Sequence, residues 1–271
     1  MSANAAASSL TAQSVAVLLT ADPMAKAHSA GRLARQALKG ELVLGDAIPP
    51  PRPARPSHPL LLHPKEMPKR KVGSARGRAA LLHALAHIEL NAIDLALDIV
   101  ARFGGDAGPL PGDLRHPFCR DWLTVARDEA KHFLLLVRRL RQLDLSYGDL
   151  PAHDGLWTAA ERTKDDLMAR LAIVPLVHEA RGLDVQPIMI ARLRAAGDEK
   201  SAKVLDIIAR DEVDHVRIGY SWFTRLCARE GVEANAHYRM LVARHHGSLA
   251  RSDFNAQARM QAGLPRSFYE F

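Results

Sequence analysis

Two hexapeptides in this chain share one frame. Arg127-Asp128-Glu129-Ala130-Lys131-His132 and Arg210-Asp211-Glu212-Val213-Asp214-His215 each place a glutamate and a histidine three positions apart. On a helix, positions i and i+3 lie on one face about a turn apart, so the carboxylate and the imidazole can bind one metal ion. Two more glutamates, Glu89 and Glu179, stand inside two other long apolar stretches of helical pattern. One Glu from each of two helices, with Glu-x-x-His from each of two more, is the ligand set of a di-iron or di-manganese carboxylate site in a four-helix bundle. A single Glu-x-x-His says little, because helices are rich in Glu. Two copies in a common frame, 83 residues apart, say much more.

Carboxylate oxygen with imidazole nitrogen suits iron and manganese better than thiolate-seeking metals. Iron is the expected ion, and Mn/Mn or mixed Mn/Fe occupancy suits the same donors. Glu89, Glu129, Glu179 and Glu212 would neutralise two divalent cations, and His132 and His215 would give one neutral nitrogen to each. Burying four carboxylates together without metal would cost several kcal/mol each, which argues against a purely structural cluster. Glu129 and Glu212 are the expected bridging, catalytic carboxylates. A ligating imidazole usually donates its second N–H to a carboxylate. Asp128 and Asp211 are expected to accept it, each from the opposite histidine. His83 and His87, six and two residues before Glu89, fall off its face and read as core or interface histidines. His178 faces away from Glu179, Tyr220 and Trp222 read as core packing, and Arg138, Arg139 and Arg141 as a solvated face.

The elements that must position these groups follow from composition and punctuation. The 271 residues are 48% hydrophobic but only 5% aromatic, which favours helices packed on helices. Residues 1–45 read as an extension of two modest helices, with Ser9 or Thr11 capping the first and Pro23 opening the second. Residues 46–74 are a proline-rich basic arm in which continuous helix is forbidden. A bundle of four long helices is expected over 75–232: about 76–103, 114–143, 157–182 and 198–229. A short helix from Asp184 to Ala196 is expected to extend the third, because Glu179 otherwise lies too near its end at Gly182. Residues 145–156 can stretch roughly 40 Å, enough to run back along a helix of roughly 45 Å, so the second and third helices can be parallel. Residues 233–271 read as a short helical tail.

The net charge of +7 owes much to Lys65, Lys69, Arg70, Lys71, Arg76 and Arg78 beside the arm, a stretch that permits a nucleic-acid partner. Cys119 and Cys227 form no metal-binding or redox motif and read as reduced, buried thiols. Met1–Leu10 lacks a basic and an apolar region, so no signal peptide is expected. No apolar run approaches a membrane span, and a cytoplasmic location without membrane contact is expected.

The order Glu89, Glu129-x-x-His132, Glu179, Glu212-x-x-His215 is similar to that of the ferritin-like di-iron carboxylate superfamily. Leu150-Pro151-Ala152-His153-Asp154-Gly155-Leu156-Trp157 and Glu179-Ala180-Arg181-Gly182-Leu183-Asp184 resemble a bacterial ferritin-like family of unknown function, over nearly the whole chain. The Asp-Glu-x-x-His frames are similar to those of bacterial di-iron monooxygenases and the ribonucleotide reductase small subunit. Rubrerythrins, ferritins and a tRNA-modifying hydroxylase are further relatives. The resemblance implies an all-α four-helix bundle with a long crossover, a dinuclear site and a homodimer. The chain departs from rubrerythrins in lacking their C-terminal cysteine pairs. The leading expectation is an O2-activating oxidase or hydroxylase acting on an unidentified substrate, for which tRNA held by the arm is one option. It would need an external electron donor, since no flavin or iron–sulfur motif is present. Two other readings stand beside it: an iron-oxidising, iron-handling or peroxide-scavenging protein, and a metal-stabilised scaffold without catalysis. One fold hosts many chemistries, so the resemblance names no substrate.

Overall fold

The computed structural model describes residues 9–68, 72–249 and 253–271. Lys69, Arg70 and Lys71 of the basic cluster lie outside the described residues. The chain is all-helical, with no strand among the described residues and one isolated parallel bridge between Leu61 and Ala152. Among those residues no helix is long and apolar enough to cross a membrane. Two compact units form, residues 1–155 and 156–271.

In the first unit, α1 spans Leu10–Leu18, α2 Pro23–Leu38, α3 Ala75–Phe103 and α4 Gly112–Arg141. Each of the first three begins where a short polar side chain satisfies an orphan amide: Ser9 caps α1, Asp22 caps α2 ahead of Pro23, and Ser74 caps α3. Thr11 is not the cap; its hydroxyl donates to the Gly45 carbonyl. Helix α3 lies along α4, α2 packs on α4, and α1 on α3. Their shared core includes Leu82, Ile93, Leu97 and Val100 of α3 against Leu123, Phe133 and Leu136 of α4. Each such side chain contributes about 1.5–3 kcal/mol by leaving water. Helix α3 stops at Gly104, where a Cβ would sit 2.4 Å from the Cys119 sulfur, so only glycine lets α4 come this close.

The proline-rich arm is strapped to this unit. The Ala54 amide donates to the Leu18 carbonyl, the Leu62 amide to Ala152 and the Ala152 amide to Leu60, and Arg52 pairs with Asp154. Arg102 pairs with Asp98 and also donates to the Pro50 carbonyl. Under the arm lies a charged group with no signal in local sequence. Lys26, fully buried, places Nζ 2.7 Å from Asp94, and Arg55 of the arm approaches the other Asp94 oxygen at 2.9 Å. Arg139, expected on a solvated face, is buried and donates to Gln142.

In the second unit, α5 (Gly155–Arg162) is followed by α6 (Leu167–Ile173), a π turn (Val174–Glu179) and α7 (Ala180–Ala195), then α8 (Glu199–Glu230), α9 (Ala234–His245) and α10 (Ala256–Gln261). The break expected at Gly182 is absent, and the chain from 167 to 195 is continuously helical. The interruption lies upstream, where Asp166 caps α6 and the buried Arg170 ties Thr163 and the Ala160 carbonyl together. Asp184 caps nothing; it is buried in a two-bond pair with Arg259. Pro187 removes the amide that would serve the Leu183 carbonyl, and the Asn255 side chain supplies a donor there at 3.1 Å. Helix α8 is capped by Asp198 and ends at Gly231 in the left-handed conformation, φ 70°.

Candidate metal centre

Helices α3 and α4 bring three of the expected ligands together. His132 Nδ1 lies 3.3 Å from a Glu89 oxygen and 3.3 Å from a Glu129 oxygen. All three side chains are buried, and one ligand atom from each falls within 4.8 Å of the others. The i, i+3 spacing puts Glu129 and His132 on one face of α4, and the apolar turns around Glu89, with Leu90 and Ile93, hold its carboxylate in the same layer. Burial, and then the neighbouring Glu129 carboxylate, push the Glu89 carboxyl well above the usual carboxylate range, while His132 pulls it back. A buried group of two carboxylates and one imidazole of this kind can hold a metal ion, because a cation removes the repulsion that otherwise forces a proton onto one of them.

The second unit carries the matching set. On α8, His215 Nδ1 stands 3.7 Å from a Glu212 oxygen, both side chains buried. Glu179 closes the π turn, in mid-helix rather than near an end, and the π turn packs against α8. Gly219 makes that approach possible: a Cβ there would sit 2.4 Å from Pro175 Cβ. Gly219, which the sequence analysis does not single out, stands seven residues after Glu212 in a long helix, where an isolated glycine is a signal of close packing. π turns recur where helices carry functional side chains.

The flanking residues divide clearly. Asp128 engages Arg127 at 3.3 Å and Lys131 at 3.7 Å, and Asp211 engages Arg210 at 3.4 Å. His83 accepts from the Gly148 amide and His87 shares a 2.8 Å hydrogen bond with Tyr147, whose ring stacks on both. They are core histidines, and burial with Arg55 nearby drives His87 down to about 3. His178 points at His246, ring centroids 5.4 Å apart, and burial, His246 and Arg181 lower it to about 4. Tyr220 stacks edge-on against Phe268, and Trp222 is buried under Arg225. Both cysteines are free and buried.

The chain is 43% identical over 211 residues to an uncharacterized protein of Haemophilus influenzae, covering 78% of this chain and 73% of that one. No solved structure matches. A family model described as protein of unknown function (DUF455) matches residues 19–270, so nearly the entire length is accounted for and the chain belongs to that family.

Proposed function

We propose that this protein is a dinuclear metal-carboxylate oxidoreductase, an O2-activating oxidase or hydroxylase with iron as its metal. The observation that carries the reading is the buried convergence of Glu89, Glu129 and His132. The donors fit the ion: carboxylate oxygen and imidazole nitrogen both suit iron, and Glu89 is held in a place where its own charge is unfavourable until a cation arrives. Glu212 and His215, which repeat that frame, and Glu179, which stands on a further helix, would complete the six-ligand set. The four helical segments carrying these ligands, α3, α4, the π-containing helix and α8, then form a ferritin-like bundle.

Iron bound there would supply the electrons that reduce O2 and the oxidising power that acts on a substrate. The chain's own groups have separate tasks. Glu129 and Glu212 would each offer carboxylate oxygens to the metal and His132 and His215 one ring nitrogen each, and Asp128 and Asp211 would orient the opposite imidazoles by accepting their second N–H. The apolar turns around Glu89 and His132 exclude water. Electrons come from a separate reductase.

Metal content after anaerobic Fe(II) loading tests this, for wild type beside Glu129→Ala. Two irons per chain in wild type and one or none in the variant support the centre. Absence of stoichiometric iron or manganese from wild type sinks it. Iron that turns over into accumulating mineral, with no oxidised substrate, would move the protein to iron handling.

A further inference from the structure

The second unit holds a cavity of about 330 Å³ between the π turn, the end of α9 and the C-terminal segment. Its apolar wall comes from Leu176, Leu249 and the rings of Tyr238, Phe254 and Tyr269. A volume at the low end of small-molecule sites, with a mostly apolar wall and a few polar groups, suits one small organic molecule.

The polar groups are cationic or imidazole. Arg259 is buried and built in: Nε and Nη2 donate to Asp184 at 2.9 and 2.6 Å, and its guanidinium carbon lies 4.8 Å from the Phe254 ring centre and 4.5 Å from that of Tyr269. Its Nη1 group meets no acceptor among the described residues. Arg259 cannot leave this position without stranding Asp184, so a fixed donor pair is left on a cavity-lining residue. Arg181 also lines the cavity and makes no ion pair among the described residues. Since Asp184 already cancels Arg259, one uncompensated positive charge remains. The imidazoles of His178 and His246, ring centroids 5.4 Å apart, complete the polar side.

We infer that this cavity binds a small monocarboxylate with a planar aromatic body, the carboxylate between Arg181 and Arg259 and the ring against Tyr238, Phe254 and Tyr269. A planar fork of N–H donors matches a carboxylate, and ring faces and edges match an aromatic body. The single uncompensated charge selects a monoanion over a di- or trianionic phosphate. The inference goes beyond the metal reading and does not depend on it, since every group belongs to the second unit and none is a proposed ligand.

The test is binding to the full chain by ligand-observed NMR and titration calorimetry, with benzoate, benzyl alcohol and benzylamine as probes of one shape and three charges. Benzoate is expected to bind at least about tenfold more tightly than either of the others. Arg181→Gln is expected to weaken benzoate about fivefold or more while leaving benzyl alcohol unchanged. Leu249→Trp, which fills the cavity from a half-buried position, is expected to abolish benzoate binding with the circular dichroism unchanged. Equal binding of the three probes, benzoate binding indifferent to both variants, or no benzoate binding at about 10 mM would each overturn the inference. Loss of iron binding in Glu129→Ala with benzoate binding retained would separate the two claims.

Discussion

Removing Asp94 should damage the fold more than removing Asp94 and Lys26 together. Asp94 is fully buried 2.7 Å from the Lys26 ammonium and 2.9 Å from Arg55, and among the described residues Lys26 has only the Leu18 and Ala54 carbonyls, at 3.3 and 3.0 Å, to fall back on. Burial outweighs pairing for both partners: Lys26 is lowered and Asp94 raised, each toward its neutral form. The pair therefore contributes little net stability, yet an orphaned charge costs about 3–5 kcal/mol. Asp94→Ala should lower the melting temperature by about 6–20 °C, at about 2–4 °C per kcal/mol for a chain of this size. Lys26→Met/Asp94→Ala removes both charges and should recover about 2 kcal/mol or more of that loss. Urea unfolding of wild type, both single variants and the double variant gives the coupling directly. If the two single losses simply add, or if Asp94→Ala costs less than about 1 kcal/mol, the argument from buried charge fails.

Other consequences can be measured separately. Gly219→Ala should destabilise the second unit by about 1–3 kcal/mol, since the new methyl meets Pro175, and it should lower iron stoichiometry by shifting Glu179; unchanged unfolding and iron content would refute the contact. Glu89→Gln should melt higher than wild type in chelator, because it removes a carboxylate that Glu129 opposes, while binding less iron; a lower melt in chelator would contradict that repulsion. Asn255→Ala should cost about 1–2 kcal/mol by leaving the Leu183 carbonyl without its donor, read from denaturant midpoints. Glu233 caps α9 through the Asn235 and Ala236 amides, bonds that hold its carboxyl below the usual range. A depressed carboxylate stabilises above its unfolded value and loses that as pH falls through the folded one. The protection of the α9 amides, corrected for the intrinsic pH dependence of exchange, should fall on acidification in wild type, and Glu233→Gln should flatten that dependence.

Much of this was legible before any coordinates. The cap at Ser9, Pro23 at a helix start and Gly231 at a stop are local signals, and local hydrogen bonding obeys them. The pairing of Glu129 and His132 followed from helical spacing, and that of Glu89 with them from its place in an apolar run. The third long helix was misread for a reason its neighbours explain. Gly182, Asp184 and Pro187 look like a stop and a restart, but Arg259 claims Asp184 and Asn255 serves the carbonyl that Pro187 leaves open. Both partners lie some seventy residues away. Lys26 and Asp94 were equally invisible, since each sits in an unremarkable helical pattern and only the packing of α1, α3 and the arm takes both from water. Arg139 has the same character: charge in a basic run predicts exposure, and burial there depends on tertiary context.

The π turn carries one residue more than an α-helix would use for the same advance. A wider turn with i→i+5 bonding absorbs that extra residue, so the helix downstream keeps the phase it would have without it. Asp184 therefore still meets Arg259, and Pro187 still falls where Asn255 compensates for it. Deleting Val177 would let the segment close to plain α-helix with those contacts kept, and would remodel the wide turn that carries Glu179. An alignment of relatives should treat a one-residue gap here as the loss of that wide turn rather than as a change of face downstream.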